Sequence, residues 1–210
     1  MSWLGFARSE AAPAELEQIE IPLFPLKAVL FPGGALSLKV FEPRYLDMAA
    51  ACLKDASPFG ACLIASGQEV GKTAVPHAIG TLAHIAQANM EQQGILLLTV
   101  RGGRRFRIVT QNAGADGLLH AQVELLAEPA QQIVPAAQRA LLPLLQKIAI
   151  DLGPEKMPGP YLFDDAAWVG YRLSEVVPVQ VLAKQKLLEL DDPVSRLEVI
   201  FAYLAQRKLV

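Results

Sequence analysis

Short apolar runs separated by proline and glycine fill the first 129 residues of this chain. Between residues 118 and 126 apolar and polar positions alternate, so that Leu119, Ala121 and Val123 face one way, which is typical of a half-buried strand. Gly102 and Gly103 predict a two-residue hairpin turn, where glycine permits a positive φ. The pattern as a whole predicts a small antiparallel barrel or sandwich. Its strands are expected at residues 21–26, 36–41, 59–65, 80–87, 95–101, 104–110 and 118–126.

Helical periodicity appears in two parts of the chain. Pro43 is well placed as the first residue of a helix, and the apolar residues after it recur at helical spacing. Beyond residue 129 the strand pattern stops, and Leu141, Leu145 and Ile148 mark the apolar face of a longer helix. Pro143 is expected to kink that helix or to start a new one.

Capping signals predict the remaining helices. One of the aspartates at 164 and 165 caps a helix that runs to residue 176. Another helix spans residues 178–190, and the pair Asp192-Pro193 begins the last one. Strands followed by helices form an α+β pattern. We predict a flexible tail at residues 1–19, a strand-rich subdomain at 20–129 and a helical subdomain at 130–210.

Composition and charge narrow the functional classes. Hydrophobic residues make up 52% of the chain, but no run approaches the roughly 20 apolar residues of a membrane-spanning helix. The net charge of −2 argues against a general polyanion binder. Cys52 and Cys62 fit a reducing compartment, either as buried free thiols or as a disulfide, and the first residues lack a signal-peptide pattern. We therefore expect a cytoplasmic protein with no membrane partner.

One stretch, residues 21–48, is more particular than a pair of strands: IPLFPLKAVLFPGGALSLKVFEPRYLDM. Its pieces LFPL at 23–26, LFPG at 30–33 and FEPRY at 41–45 resemble, in order and spacing, the opening of the Lon amino-terminal domain family. That family is the substrate-binding module of ATP-dependent protease La. Weaker similarity continues at residues 69–71, 79–81, 103–106, 184–189 and 196–197.

This resemblance implies both a fold and a role. The family fold is a PUA-like antiparallel β-barrel carrying one helix, followed by an α-helical bundle. The family's module stands in front of ATPase and Ser-Lys peptidase modules, for which a chain of 210 residues has no room. We therefore expect a non-catalytic recognition module that binds unfolded or exposed segments of client proteins. A separate protease or chaperone is a further candidate partner.

Such a module would bind extended peptide in a shallow apolar groove. Pro22, Pro25 and Pro32 border a possible barrel edge, to which a peptide would add as a strand. The junction near residues 129–135 is a second candidate location, because binding sites often lie between domains. Aromatic, methionine and arginine side chains suit adaptable interfaces, and on this ground we predict the contact residues. They are Phe31, Phe41, Tyr45, Met90 and Arg104.

Two other functions stay open. PUA-like barrels elsewhere bind RNA. A basic cluster between residues 101 and 107 would bind phosphate or an acidic peptide, or else form a solvated outer face of the barrel. The slightly acidic balance of the chain argues against a nucleic-acid partner. A small hydrolase would need a cleft that holds a nucleophile, a base and an orienting group.

Sequence motifs for bound groups are weak. Residues 67–73 resemble a phosphate loop, but three residues separate the glycines where that motif needs four. The histidines lack the short spacing of a zinc site. Glu42 and Arg44 are expected to form an ion pair at a helix start, and Gln185 to hydrogen-bond between helices or to the barrel. The sequence predicts no catalytic residue, no metal site and no cofactor.

Overall fold

The computed structural model of the chain describes residues 17–68 and 74–210. Most of the predicted tail lies outside these residues, and so do residues 69–73 of the segment that resembles a phosphate loop. Gln18 and Ile19 already belong to the first strand. Regular structure therefore begins inside the segment for which the sequence predicted a tail.

Apart from one helix between the second and third strands, strands come first and helices last in the described residues, as the α+β pattern predicts. The strands are β1 (Gln18–Leu26), β2 (Ala35–Val40), β3 (Phe59–Ser66), β4 (Val75–Pro76), β5 (Ile79–Gln92), β6 (Ile95–Ala113) and β7 (Leu119–Leu125). The helices are α1 (Pro43–Asp55), α2 (Leu141–Lys156), α3 (Ala166–Val176), α4 (Val181–Glu189) and α5 (Pro193–Gln206). None of the helices described has both the length and the apolarity needed to cross a membrane.

Most of the strands pair in a closed ring. The order β1-β7-β6-β5-β3 is antiparallel at every step, and β3 returns to β1 through a parallel contact. Gly60 permits this contact, because a Cβ there would lie 2.6 Å from a methyl carbon of Leu23. β2 lies outside the ring and pairs with β6. Its other edge has no strand partner within the described ranges.

The predicted hairpin at Gly102 and Gly103 is wrong. β6 passes through both glycines as one strand, and the turn between β5 and β6 lies at Gln93 and Gly94, where Gly94 has a φ of 82°. A Cβ on Gly102 would lie 2.1 Å from the carbonyl oxygen of Phe31. Glycine at 102 therefore permits a close approach of two backbones, which the sequence cannot distinguish from a turn.

Apolar side chains fill the interior of both parts of the protein. Phe106 and Val123 are fully buried in a cluster within the strand ring. Met48 and Ala49 of α1 belong to a second cluster, which packs the helix against the strands. The helices share a third cluster around Leu173. Each fully buried apolar side chain contributes about 2 kcal/mol to stability, so these three clusters stabilise the fold.

Two aspartates begin helices as predicted. The carboxylate of Asp165 accepts hydrogen bonds from the backbone N–H groups of Ala167 (2.7 Å) and Trp168 (3.2 Å) at the start of α3. Asp192 accepts one from the N–H of Ser195 (2.7 Å) at the start of α5. Both caps satisfy N–H groups that have no partner within their own helix.

Prolines and a glycine set the remaining helix limits. Pro143 lies in the first turn of α2, where a missing N–H costs no hydrogen bond. That helix is interrupted later, at Gly153, which has a φ of 72° and precedes a second proline. The helix predicted from Pro178 begins three residues later, at Val181, because the backbone is still extended at Gln180 (ψ 148°).

Arg105 joins the strands to the helices. Its guanidinium donates hydrogen bonds to the carbonyl oxygens of Leu188 (2.8 Å) and Leu190 (3.1 Å) and pairs with Asp191 (2.8 Å). The side chain is only 4% exposed. A solvated outer face is therefore wrong for this member of the basic cluster, because Arg105 satisfies the carbonyl groups at the end of α4.

Gln185 and Arg172 also join the strand-rich part of the chain to the helices. Gln185 donates to the carbonyl oxygen of Ile79 at 3.0 Å, which confirms the hydrogen bond predicted from helix to strands. Arg172 is fully buried and donates to the carbonyl oxygen of Pro32 at 2.6 Å. It also pairs with Glu175 at 3.0 Å. These contacts hold the loop before β2 against α3.

Candidate functional site

An open groove of about 320 Å³ runs along β2 and the start of α1. Every residue from Leu36 to Glu42 lines it, together with Phe24, residues 26–28 and Tyr45. We call this surface the β2 groove. Successive side chains of a strand point to opposite faces of the sheet. Because consecutive residues of β2 line the groove, it follows the backbone edge of this strand.

The floor of the β2 groove is apolar and tightly packed. The rings of Phe24 and Tyr45 stack with their centroids 4.1 Å apart, and both side chains are buried. Leu36 and Leu38 are half-buried beside them. Phe41 is 49% exposed at the end of the groove. This surface offers an apolar partner a preformed floor and one exposed aromatic ring.

Local sequence explains the position of Phe41. β2 ends one residue before it and Pro43 begins α1, so Phe41 lies in a tight corner between strand and helix. Arg44 pairs with Glu42 at 2.9 Å, which confirms the predicted ion pair. Arg44 also donates to the carbonyl oxygen of Gly117 at 3.0 Å. These bonds fix the start of α1 beside the groove.

Met90 lies near the end of the β5–β6 hairpin and is 69% exposed. It lies opposite Leu96 of β6, which lies opposite Val40 of β2. Directly opposed residues share one face of a sheet. Two strand spacings, roughly 10 Å, separate Met90 from Val40, the residue before Phe41. The structure thus brings two predicted contact residues, Met90 and Phe41, to the same end of the sheet.

Phe31 has no exposed surface, although the sequence predicts it as a contact residue. Its ring packs against Tyr171 of α3, with the centroids 6.1 Å apart, and it belongs to the helical cluster. A side chain in this position cannot touch a bound peptide. Phe31 is therefore excluded from the candidate contact surface, because the helices cover it.

Arg104 lies away from the β2 groove. Its guanidinium pairs with Glu17 at 2.9 Å and donates to the carbonyl oxygen of Leu126 at 3.4 Å. It lines a depression of about 290 Å³ that also includes Trp168 and Pro129, and we call this surface the junction groove. The two grooves share no lining residue. One predicted contact residue therefore belongs to a different surface.

The cysteines are poorly placed for nucleophilic chemistry. Cys52 and Cys62 are free and buried, the first of the two predicted alternatives. Burial raises the pKa of both thiols. A nucleophilic cysteine needs the opposite environment, one that stabilises the thiolate. Within residues 17–68 and 74–210, no group of three histidine, cysteine or acidic side chains is arranged to hold a metal ion.

Sequence analysis missed most residues that line the β2 groove. Leu36, Leu38 and Val40 alternate with the polar residues Ser37 and Lys39. This period of two is the signal of a strand with one apolar face. It was available in the sequence, which predicted a possible barrel edge near Pro22, Pro25 and Pro32 but did not identify β2 as the strand that forms it.

A second apolar surface, between α4 and α5, was also missed. It forms a depression of about 510 Å³ whose lining includes Leu187, Val199 and Tyr203. Val199 is 52% exposed. In the sequence these positions are ordinary apolar residues of two helices, so no local signal separates an exposed helix face from a buried one.

Comparisons with known proteins agree on one family. The family model described as "ATP-dependent protease La (LON) substrate-binding domain" matches residues 20–206. The chain is 27% identical over 201 residues to Lon protease 2 of Herpetosiphon aurantiacus. It is 26% identical over 203 residues to the Lon protease of Escherichia coli K12. In both cases the similarity covers 90% of this chain.

Solved structures show the same relationship. The chain is 34% identical to a Lon N-terminal domain protein from Xanthomonas campestris, with a TM-score of 0.74, and the match covers 88% of this chain and 98% of that one. The N-terminal domain of the Lon protease of the Mycobacterium avium complex has the same fold, with a TM-score of 0.63 at 18% identity. That match covers 89% of this chain and 98% of the other.

The curated relatives are much longer than the matching region. The chain spans 24% of the Herpetosiphon protein and 25% of the Escherichia coli protein. The similarity therefore concerns one part of these proteases.

Proposed function

Because the chain belongs to the family of ATP-dependent protease La (LON) substrate-binding domains, we propose that it binds unfolded or exposed segments of client proteins. The β2 groove carries this proposal. Its floor of Phe24 and Tyr45 is apolar, and Phe41 stays half-exposed at its end. Unfolded chains present apolar side chains that folded proteins bury, and burying them in such a groove is favourable.

The proposed contact surface differs from the one predicted from sequence. It retains Phe41, Tyr45 and Met90, which lie in or near the β2 groove, and it omits the buried Phe31. We assign Arg104 to the junction groove, where a long client would make a second contact. Arginine suits this role because its fork of donors binds carboxylates and backbone carbonyls alike.

We propose that the ring of strands is a PUA-like barrel and that the later helices are a bundle, with the boundary between residues 129 and 130. The parallel return of β3 to β1 supports the barrel. Separate apolar clusters within the strands and among the helices support two subdomains. The β2 groove then belongs entirely to the first subdomain.

The proposed role is recognition without catalysis. A bound client would pass to a separate protease or chaperone, since this chain matches only the recognition module of its relatives. Buried free thiols at Cys52 and Cys62 are compatible with the reducing cytoplasm as its location. Arg105, the centre of the basic cluster, already bonds to carbonyl groups, which leaves less positive surface for RNA.

The test compares binding of one model protein in two states. A fluorescently labelled protein, unfolded by reduction and alkylation, is titrated with the purified chain by anisotropy, and its folded form is titrated in parallel. We expect selective binding of the unfolded form. Phe41→Ser should weaken this binding about tenfold, equivalent to 1.4 kcal/mol, because it removes the exposed ring of the groove.

Val109→Ser is the matched control for this variant. Val109 is 52% exposed on β6 and does not line the β2 groove, so its replacement should leave the affinity unchanged. Equal urea unfolding curves for both variants would show that neither loses its fold. Equal affinity for folded and unfolded protein would contradict the proposal, and binding of RNA alone would favour the nucleic-acid alternative.

A further inference from the structure

We propose that the client segment binds to β2 as an additional strand, in extended form, with apolar and polar residues in alternation. This inference rests on the proposed function and specifies the class of segment recognised. Strand addition uses backbone hydrogen bonds for affinity and alternate side chains for selectivity. The argument depends on two features of β2: its edge away from β6, which pairs with no strand among residues 17–68 and 74–210, and the difference between its two faces.

The backbone of β2 presents hydrogen-bonding groups on the side away from β6. The N–H of Gly102 donates to the carbonyl oxygen of Gly34 at 2.9 Å, immediately before β2 begins. Antiparallel ladders alternate between residues that bond across the pair and residues that point away. Leu36 and Leu38 therefore bond to β6, whereas Ala35 and Ser37 turn their N–H and C=O groups toward the other edge.

That edge opens into the β2 groove. The groove is lined by an unbroken run of β2 residues and by residues 26–28, and no strand ladder joins these two segments. Ser37, in the middle of the run, is exposed. A strand of six residues, the length of β2, spans about 20 Å. The groove thus has the form needed by one short extended segment.

The two faces of β2 select different side chains. Leu36, Leu38 and Val40 lie on the face that packs toward Phe24 and Tyr45. Ser37 and Lys39 lie on the opposite, exposed face. Because directly neighbouring strands keep side chains in register across a sheet, every second residue of an added strand would lie over the apolar floor. Its other residues would face water.

This pattern explains how the site would distinguish unfolded clients. Alternation of apolar and polar residues is the signature of a half-buried strand. In a folded protein such a segment is paired on its edges and buried on one face, so it is not available. Unfolding frees both its backbone groups and its apolar side chains. A site of this kind recognises a pattern rather than one sequence, which suits many different clients.

Ser37→Pro is the decisive variant, with Ser37→Ala as its matched control. Proline removes the N–H of residue 37 and places a ring at the edge away from β6, while the bonds from β2 to β6 remain because this N–H does not point to β6. We expect Ser37→Pro to weaken binding of the unfolded model protein at least tenfold. Ser37→Ala keeps the N–H and should bind like the natural chain.

Peptide probes test the same bond from the other partner. The probe is a peptide of three Thr-Val repeats, acetylated and amidated at its ends. The first control carries N-methyl groups on the N–H groups that face β2, and the second carries them on the opposite edge. We expect N-methylation of the N–H groups that face β2 to abolish binding, and N-methylation of the opposite edge to leave binding unchanged. Protection of the Ser37 amide from hydrogen exchange on binding would identify the edge directly.

The outcomes separate this inference from the proposed function. If the unfolded protein binds but Ser37→Pro binds as well as Ser37→Ala, without amide protection, strand addition is overturned and client recognition stands. If the unfolded protein does not bind at all, both fail. Pairing of β2 with a second copy of the chain would also overturn the inference. In that case sedimentation would show a dimer, which Ser37→Pro would dissociate and added peptide would not. Unchanged unfolding curves are required of both variants.

Discussion

Two phenylalanines show how position decides the role of a residue. Phe31 and Phe41 both follow apolar residues in the segment that resembles the Lon family. Phe31 is covered by α3, whereas Phe41 is 49% exposed at the end of the β2 groove. The difference arises from contacts with helices more than 100 residues away along the chain, so no local pattern distinguishes the two.

Gly102 leads to a prediction at the same scale. Replacement by alanine would place a Cβ 2.1 Å from the carbonyl oxygen of Phe31, and a backbone atom cannot move aside cheaply. We expect Gly102→Ala to lower the free energy of unfolding by about 2 kcal/mol or more. Urea denaturation measures this loss.

Gly94→Ala is the comparison for this variant. Gly94 has a φ of 82°, but no atom lies within 4 Å of the position that a Cβ would occupy there, so only backbone strain opposes the change. We expect a loss of about 1 kcal/mol. A loss at Gly102 no greater than at Gly94 would contradict the close contact and return Gly102 to the role of an ordinary strand glycine.

At the scale of single elements, local chemistry predicted the helix starts well. Asp165 and Asp192 cap α3 and α5, because a carboxylate bonds to N–H groups only two or three residues away. The same reasoning failed at Gly102, where the contact is with the distant Phe31 and there is no turn. It also placed the start of α4 three residues early, at Pro178, although the backbone is still extended at Gln180.

Asp165 allows the capping interpretation to be tested. Asp165→Ala leaves the N–H groups of Ala167 and Trp168 without this acceptor, and we expect a loss of about 1 kcal/mol in the free energy of unfolding. Asp165→Asn keeps an acceptor oxygen and should retain most of the stability. Thermal or urea unfolding of both variants checks the result. If asparagine is as costly as alanine, the negative charge rather than the cap stabilises the helix.

The strand β2 is the element with the largest consequence for the proposed function. Its apolar alternation was visible in the sequence. Its position beside β6, with no strand partner on the other side in the part of the chain that the structure describes, depends on the pairing of the other strands. β6 is long enough to pair with β5 on one side and with β2 on the other. Nothing local to β2 encodes this, because strand order is a property of the whole sheet.

At the scale of the whole molecule, Glu175 makes the junction between strands and helices sensitive to pH. Burial raises the pKa of Glu175 to about 7, and the nearby charge of Arg172 opposes this rise. The carboxylate pairs with Arg172 at 3.0 Å. One of its oxygens lies only 2.0 Å from the position that a Cβ on Gly34 would occupy. An ionisable group is thus held between the loop before β2 and α3.

The sign of the effect follows from proton binding. In the unfolded chain a glutamate titrates near pH 4.3, so between about pH 4.3 and 7 the folded protein holds more protons than the unfolded one. The free energy of unfolding should therefore fall as the pH rises through this window, on the order of 3–4 kcal/mol in total. Urea denaturation at a series of pH values measures the slope.

Glu175→Gln should remove this part of the slope, since glutamine does not titrate. Glu155→Gln, at an exposed position of α2, is the matched control and should leave it unchanged. A natural chain whose stability rises between pH 5 and 7 would contradict the assignment. So would a Glu175→Gln variant with the same slope as the control.

The sequence by itself determined the order of strands and helices, the helix caps and the family of the chain. These depend on periodicity, on bonds between near neighbours and on a particular run of residues at 21–48. Only the tertiary structure decided that Phe31 is buried, that Arg105 bonds to the end of α4 and that, among residues 17–68 and 74–210, β2 pairs with a strand on one side alone. The physical reason is that exposure and strand pairing arise from contacts between distant segments, so the proposed binding surface forms only when the chain has folded.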